Sequence, residues 1–160
     1  MTQRRIYTGE TGGYYVSVQP DEDSRDVLFD WAARLGFWIK PKDFERLHCT
    51  VIYTHGAKPD PAESDSNLVF KATLKGFTHW IGFDGLGYLV ALLDSPSIVE
   101  RRLQWIDRGA GELRREFNPH VTLVSSIPCS AALLRRAKRL GDKERGTHLR
   151  FVNEHLEDTL

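Results

Sequence analysis

Two short phrases carry the groups best suited to chemistry: His48-Cys49-Thr50-Val51 and His120-Val121-Thr122-Leu123. Each reads His-x-Thr followed by an apolar residue, and each lies in a β-prone apolar run, Leu47 to Tyr53 and His120 to Ile127. Side chains alternate between the two faces of a strand, so the histidine and threonine of each phrase share one face. Cys49 and Val51, or Val121 and Leu123, turn to the other face and feed a core. Two such strands place two imidazoles and two hydroxyls around one anionic group. With a phosphodiester held there, a neutral imidazole takes a proton from an attacking hydroxyl and a protonated one gives a proton to the leaving oxygen. Histidine serves both roles because its unperturbed pKa lies near ~6.5. The threonine hydroxyls donate to the non-bridging oxygens, whose charge grows in the transition state. This chemistry needs no metal and no cofactor, and the sequence has no HExxH, no Asp-rich cluster and no DxDxDG loop. One His-x-Thr in a strand is uninformative. Two copies in matching settings are harder to set aside, the alternative being a duplicated fold with satisfied histidines on a cross-strand seam.

The elements that must position these phrases also repeat. Tyr14 to Gln19 alternates as a strand, and Pro20 to Ser24 breaks it and supplies capping residues. Val27, Leu28, Trp31, Ala32 and Leu35 recur at helical spacing up to Gly36; Pro41 to Glu45 reads as a loop before the first His strand. The second unit starts with an apolar strand, Tyr88 to Leu93. A helix opens at Ser95-Pro96, buries Val99, Leu103 and Ile106, and ends at Gly109 and Gly111; Glu112 to Pro119 then leads into the second His strand. Between the units lie a loop from His55 to Ser66, strands over Asn67 to Leu74 and Gly76 to Phe83, and a hairpin turn at Asp84-Gly85. A basic helix over Ser130 to Leu140 and a last strand over His148 to His155 follow. The expected fold is therefore α+β: two similar lobes with antiparallel sheets around a central cleft, helices packed outside. With no linker visible, residues 1–160 read as one bilobal domain.

Bulk properties restrict the ligand. The chain has 160 residues, 41% hydrophobic and 28% charged, as in ordinary soluble domains. Its 22 basic and 22 acidic residues cancel. That argues against a long nucleic acid gripped through many phosphates, and leaves room for a small anionic ligand held by a few placed groups. Cys49 and Cys129 form no CxxC and read as reduced thiols of a cytosolic protein. Met1-Thr2-Gln3-Arg4-Arg5 leads into polar sequence rather than a secretory signal, and no apolar run approaches the ~18 residues of a membrane span.

The paired motifs and repeated units resemble the 2H phosphoesterase superfamily, which includes bacterial RNA 2′,3′-cyclic phosphodiesterases of the LigT kind. Five stretches are similar to a narrower group, the phage anti-CBASS nuclease family: Leu47 to Tyr53, His79-Trp80-Ile81-Gly82, Tyr88 to Ser95, Asn118 to Leu123, and Asn153 to Asp158. Members of that family degrade the cyclic di- and trinucleotides with which bacteria signal infection. The resemblance implies that His48, Thr50, His120 and Thr122 are catalytic. It also implies metal-independent attack on a 3′–5′ phosphodiester by the neighbouring 2′-hydroxyl, through a cyclic phosphate that can open to a 3′-phosphate; which of the two is the product does not follow from sequence. The expected partner is a cyclic oligonucleotide, and the expected location the host bacterial cytosol. A LigT-like enzyme acting on RNA ends and a sponge that binds cyclic nucleotides without cutting them are the alternatives. Which histidine is acid and which is base does not follow from sequence.

Three further residues are candidates for substrate binding. Tyr15 shares the cleft face of its strand if Tyr14, Val16 and Val18 face the helix; otherwise it is a packed aromatic. Trp80, near Gly76 and Gly82, can rim the cleft, where a base stacking on an exposed aromatic is worth ~1–3 kcal/mol; the alternative is a core tryptophan. Glu154, in the stretch that resembles the family's ending, can accept from an adenine amino group or a guanine edge; the alternative is a solvated charge. Tyr53 and Ser125 follow their motif threonines at odd offsets, which keeps them off the His face of a regular strand. His55, Arg46, Arg114, Arg115 and the run Arg135, Arg136, Lys138, Arg139 read as surface groups.

Overall fold

The computed structural model describes residues 13–55, 60–81, 86–109 and 117–158. Six strands form: β1 (Gly13–Pro20), β2 (Cys49–His55), β3 (Phe70–Ile81), β4 (Leu86–Asp94), β5 (His120–Pro128) and β6 (His148–Asp158). Three helices, α1 (Glu22–Arg34), α2 (Pro96–Asp107) and α3 (Ala131–Glu144), pack against them. Each helix starts at a side-chain cap: Asp21 accepts from the Ser24 N–H at 2.9 Å, Ser95 from Ile98 at 3.3 Å and Ser130 from Leu133 at 3.1 Å. Such caps satisfy amides that the helix itself leaves unpaired, each worth about 1 kcal/mol.

The class is α+β with one antiparallel six-stranded sheet. It closes in the order β1-β2-β5-β4-β3-β6, with β6 returning to β1. The two separate sheets expected from the repeat are joined into this ring, which leaves no edge strand exposed among the described residues. Two three-stranded runs, β6-β1-β2 and β3-β4-β5, meet at two seams. The β3/β6 seam pairs four positions, from Phe70↔Phe151 to Thr73↔His148, whereas the β2/β5 seam pairs one, Cys49↔Val121. The core takes one face of each strand, with Val16, Val18, Cys49, Leu89, Ala91 and Val121 all fully buried, and is closed by Leu28 and Trp31 of α1 and Ile98 and Trp105 of α2.

Several boundaries differ from the sequence reading. The two strands expected on either side of Lys75 are one, β3, with a register shift between Leu74 and Gly76. Pro41–Arg46 forms a 3-10 helix rather than an open loop, and α3 runs on to Glu144. A further 3-10 turn, Pro61–Glu63, falls in the segment read as loop. The last strand continues past His155 to Asp158. The Asp84-Gly85 turn lies outside the described residues.

Candidate active site

Both motif strands lie side by side in the ring. Cys49 pairs with Val121, so carrying the antiparallel register one residue either way brings His48 level with Thr122 and Thr50 level with His120. The backbone around the two motifs is nearly the same. In β2, Val16 faces Ile52 but Ser17 faces Thr50, so Val51 is an extra, bulged residue. In β5, Leu89 faces Val124 but Val90 faces Thr122, so Leu123 is bulged at the equivalent place. A bulge re-aims the side chains beside it.

The imidazoles are anchored alike. His48 donates from Nδ1 to the Arg46 carbonyl at 2.7 Å, and His120 from Nδ1 to the Asn118 carbonyl at 2.9 Å. A carbonyl can only accept, so the proton on each ring is fixed at Nδ1 and Nε2 becomes the nitrogen that gains or loses a working proton. Behind the motifs, buried Arg102 of α2 reaches β2 and the segment that leads into β5: Nη1 is 3.4 Å from the Val51 carbonyl, and the guanidinium lies 4.3 Å from the Phe117 ring centroid. Cys49, between the strands, is no nucleophile near neutral pH, because burial pushes its thiol up to about 12 against a weaker opposing hydrogen bond at His120.

The surroundings of the motifs differ. Tyr15 lies 5.8 Å from the His48 ring and stacks on Tyr53 at 6.3 Å and 14°. Tyr53 is on the His face after all, because the Val51 bulge reverses the parity that an unbroken strand would keep. The Tyr15 hydroxyl donates to Glu157, whose other carboxylate oxygen contacts His155 Nε2. His155 donates from Nδ1 to the Asn153 carbonyl at 2.9 Å, the same anchor as at the two motif histidines, and its Nε2 lies 3.3 Å from Ser17 Oγ. Burial alone pushes the Glu157 carboxyl up. The hydrogen bonds from Tyr15 and His155, with the nearby His155 and His48, outweigh burial and hold it below the ordinary glutamate value. On the other side, Trp80 meets His120 edge-to-face, with centroids 4.5 Å apart and planes at 72°. Tyr88 is paired with both Trp80 and Ser125 and so shares their face.

Glu154 is not brought to this site. It is 2% exposed and accepts from Arg101 Nε at 2.8 Å and Nη2 at 2.7 Å, from the Asp65 N–H at 3.1 Å and from Trp105 Nε1 at 3.4 Å. Its carboxylate therefore fastens β6 to α2, and the carboxylate beside Tyr15 and His48 is Glu157. The sequence carries the signal: His155-x-Glu157 repeats the His-x-polar spacing of the two motifs, and period two places Glu154 on the opposite face. Arg46 is exposed, 3.6 Å from Asp43, and serves the site through its backbone. Arg135, Arg136, Lys138 and Arg139 are exposed on α3, while Arg114 and Arg115 lie outside the described residues. Among the described residues no group of three or more His, Cys, Asp or Glu is arranged to hold a metal ion. No helix among them is long and apolar enough to cross a membrane.

Residues 12–158 match the family model described as "Anti-CBASS protein Acb1". The chain belongs to the Acb1 family. The Acb1 of Vibrio phage KVP40, an anti-CBASS protein, is 31% identical over 148 residues, which cover 92% of this chain and 88% of that relative. Both His-x-Thr motifs, Tyr15, Trp80, Glu154 and Glu157 all lie inside the span matched to Acb1.

Proposed function

We propose that this Acb1-family chain is a metal-independent phosphodiesterase of the 2H type that hydrolyses 3′–5′ bonds of cyclic di- and trinucleotides, and so lets a phage evade CBASS immunity in the host cytosol. The observation that carries the reading is the pair of Nδ1-anchored imidazoles on neighbouring strands, each with a threonine two residues on. Catalysis takes both motifs. One Nε2 removes the proton of the 2′-hydroxyl as O2′ attacks phosphorus; the other protonates O5′ as the P–O5′ bond breaks. The product is a 2′,3′-cyclic phosphate, which water opens to a 3′-phosphate with the two proton roles exchanged. Thr50 and Thr122 donate to the non-bridging oxygens. Tyr15 and Trp80 supply aromatic surface for bases, and Glu157 rather than Glu154 takes the base-reading role, because its side chain is 41% exposed and its carboxylate is oriented by Tyr15 and His155. The two three-stranded runs are the two lobes of one domain spanning residues 1–160.

The test is incubation with 3′,3′-linked cyclic dinucleotides and trinucleotides in excess chelator, with products resolved by chromatography. Linear product is expected. Intact ligand, retained and released on heating, would replace the enzyme with a sponge. Cleavage confined to RNA 2′,3′-cyclic ends would replace the substrate.

A further inference from the structure

Trp80 reaches His120 from β3, two strands away in the ring, and something must hold it there. The residue before it, His79, is buried, and its Nε2 donates to the Ile127 carbonyl of β5 at 3.0 Å. That bond passes over β4, whose residue at the crossing is Gly87, paired with Ile81 on one side and Ile127 on the other. A Cβ on Gly87 would lie 1.8 Å from the Trp80 carbonyl oxygen and 2.9 Å from His79 Cε1. The missing side chain is thus the space that the His79 ring and the Trp80 backbone occupy. Beside the acceptor, Ser126 adopts φ 60°, a left-handed conformation costly for serine, at a register shift between Gly87 and Tyr88. Packing alone does not explain His79. Its Nδ1 is buried with no partner among the described residues, a penalty that an apolar side chain would avoid.

We infer that His79, Gly87 and the Ile127 carbonyl form a tie across the sheet that seats Trp80 against His120, with His79 a positioning residue. The inference of an effect on turnover rests on the phosphodiesterase reading; the placement of Trp80 does not. Adjacent residues of a strand point to opposite faces, so fixing the His79 ring from the core side fixes the backbone from which Trp80 projects. The tie joins β3 directly to the strand that carries His120, where ladder bonds join only neighbours.

The experiment is NMR of the full chain, following the His120 ring-proton resonances, which the Trp80 ring current displaces. Trp80→Leu sets the value without that ring current. His79→Ala and Gly87→Ala are expected to move the resonance most of the way to it, while His79→Gln, whose amide can still donate to the carbonyl, returns it toward wild type. In parallel, kcat falls roughly 10-fold or more in His79→Ala and recovers in His79→Gln, because ångström-scale misplacement costs rates of that order. Thermal melts of the same samples report folding. A folded His79→Ala that keeps the wild-type His120 resonance overturns the tie, as does His79→Gln behaving like His79→Ala. Should Gly87→Ala fail to fold, the two His79 variants still decide. If wild-type protein cleaves no cyclic nucleotide, the functional reading falls while the resonance still tests the tie.

Discussion

Around His48 the barrel places Tyr15, Tyr53, Glu157 and the anchored ring of His155; around His120 it places Trp80, with Tyr88 and Val90 along β4. The backbones beneath are counterparts. Both motifs carry a bulge one residue past the threonine, and both histidines donate to the carbonyl two residues back. Even the flanking strands correspond, since Ser17 faces Thr50 as Val90 faces Thr122, and Tyr15 faces Tyr53 as Tyr88 faces Ser125. What repeats is the frame that orients an imidazole and a hydroxyl. What does not repeat is the set of side chains that a ligand's bases would meet. On the proposed function, proton transfer falls to the duplicated frame and ligand reading to the unshared side chains.

Equivalence of the frames is tested most severely by deleting each imidazole. His48→Ala and His120→Ala should each lower kcat by about 10³-fold while sparing much of the binding, the scale of general acid–base catalysis. A 10²-fold gap between the two variants in single-turnover assays would break the symmetry argument. Within β6 the contrast is between its two faces. Glu154→Ala, which strands buried Arg101, should cost about 3–5 kcal/mol in denaturant unfolding, whereas Glu157→Gln should melt close to wild type. Thr50→Ala and Thr122→Ala should each reduce kcat by about 10²-fold with KM nearly unchanged, read from steady-state kinetics. Glu157→Gln should raise KM roughly 10-fold with base-dependent size, the worth of one charged hydrogen bond; an equal change for every base would remove its reading role.

The smallest effect concerns acid. Because Glu157 titrates below the ordinary carboxyl value in the folded chain, it contributes stability at pH above the unfolded pKa of ~4.3 and loses that contribution as pH falls through its lower native value. At 41% exposure solvent screens the contribution to less than about 1 kcal/mol. Comparing melts of wild type and Glu157→Gln from pH 6 to pH 3 measures it; a gap that widens on acidification contradicts the sign.

The motifs were readable because a period-two pattern needs only local sequence. Strand, helix and His-strand could be placed in both units for the same reason, and Tyr15 and Trp80 do come to lie beside the two histidines. Three features are not local. Each bulge shifts parity by one, and no residue type at Val51 or Leu123 announces it, so strand periodicity alone puts Tyr53 and Ser125 on the wrong face. Local sequence ends the last strand at His155, and its pairing with β1 carries it further. A strand that stops at His155 leaves out Glu157 and offers Glu154 as its carboxylate. Ring closure was equally hidden, since which strands become neighbours depends on contacts between residues far apart in the chain.

The unequal seams have a mechanical consequence. Four paired positions hold the halves together at β3/β6, and one holds them at β2/β5, so thermal breathing of the ring concentrates at the weaker join. Amides near Cys49 and Val121 should exchange with deuterium sooner than those between β3 and β4. On the proposed function, a swing of the two halves about the stronger join would widen the gap between the two motif strands and let a cyclic nucleotide enter between them.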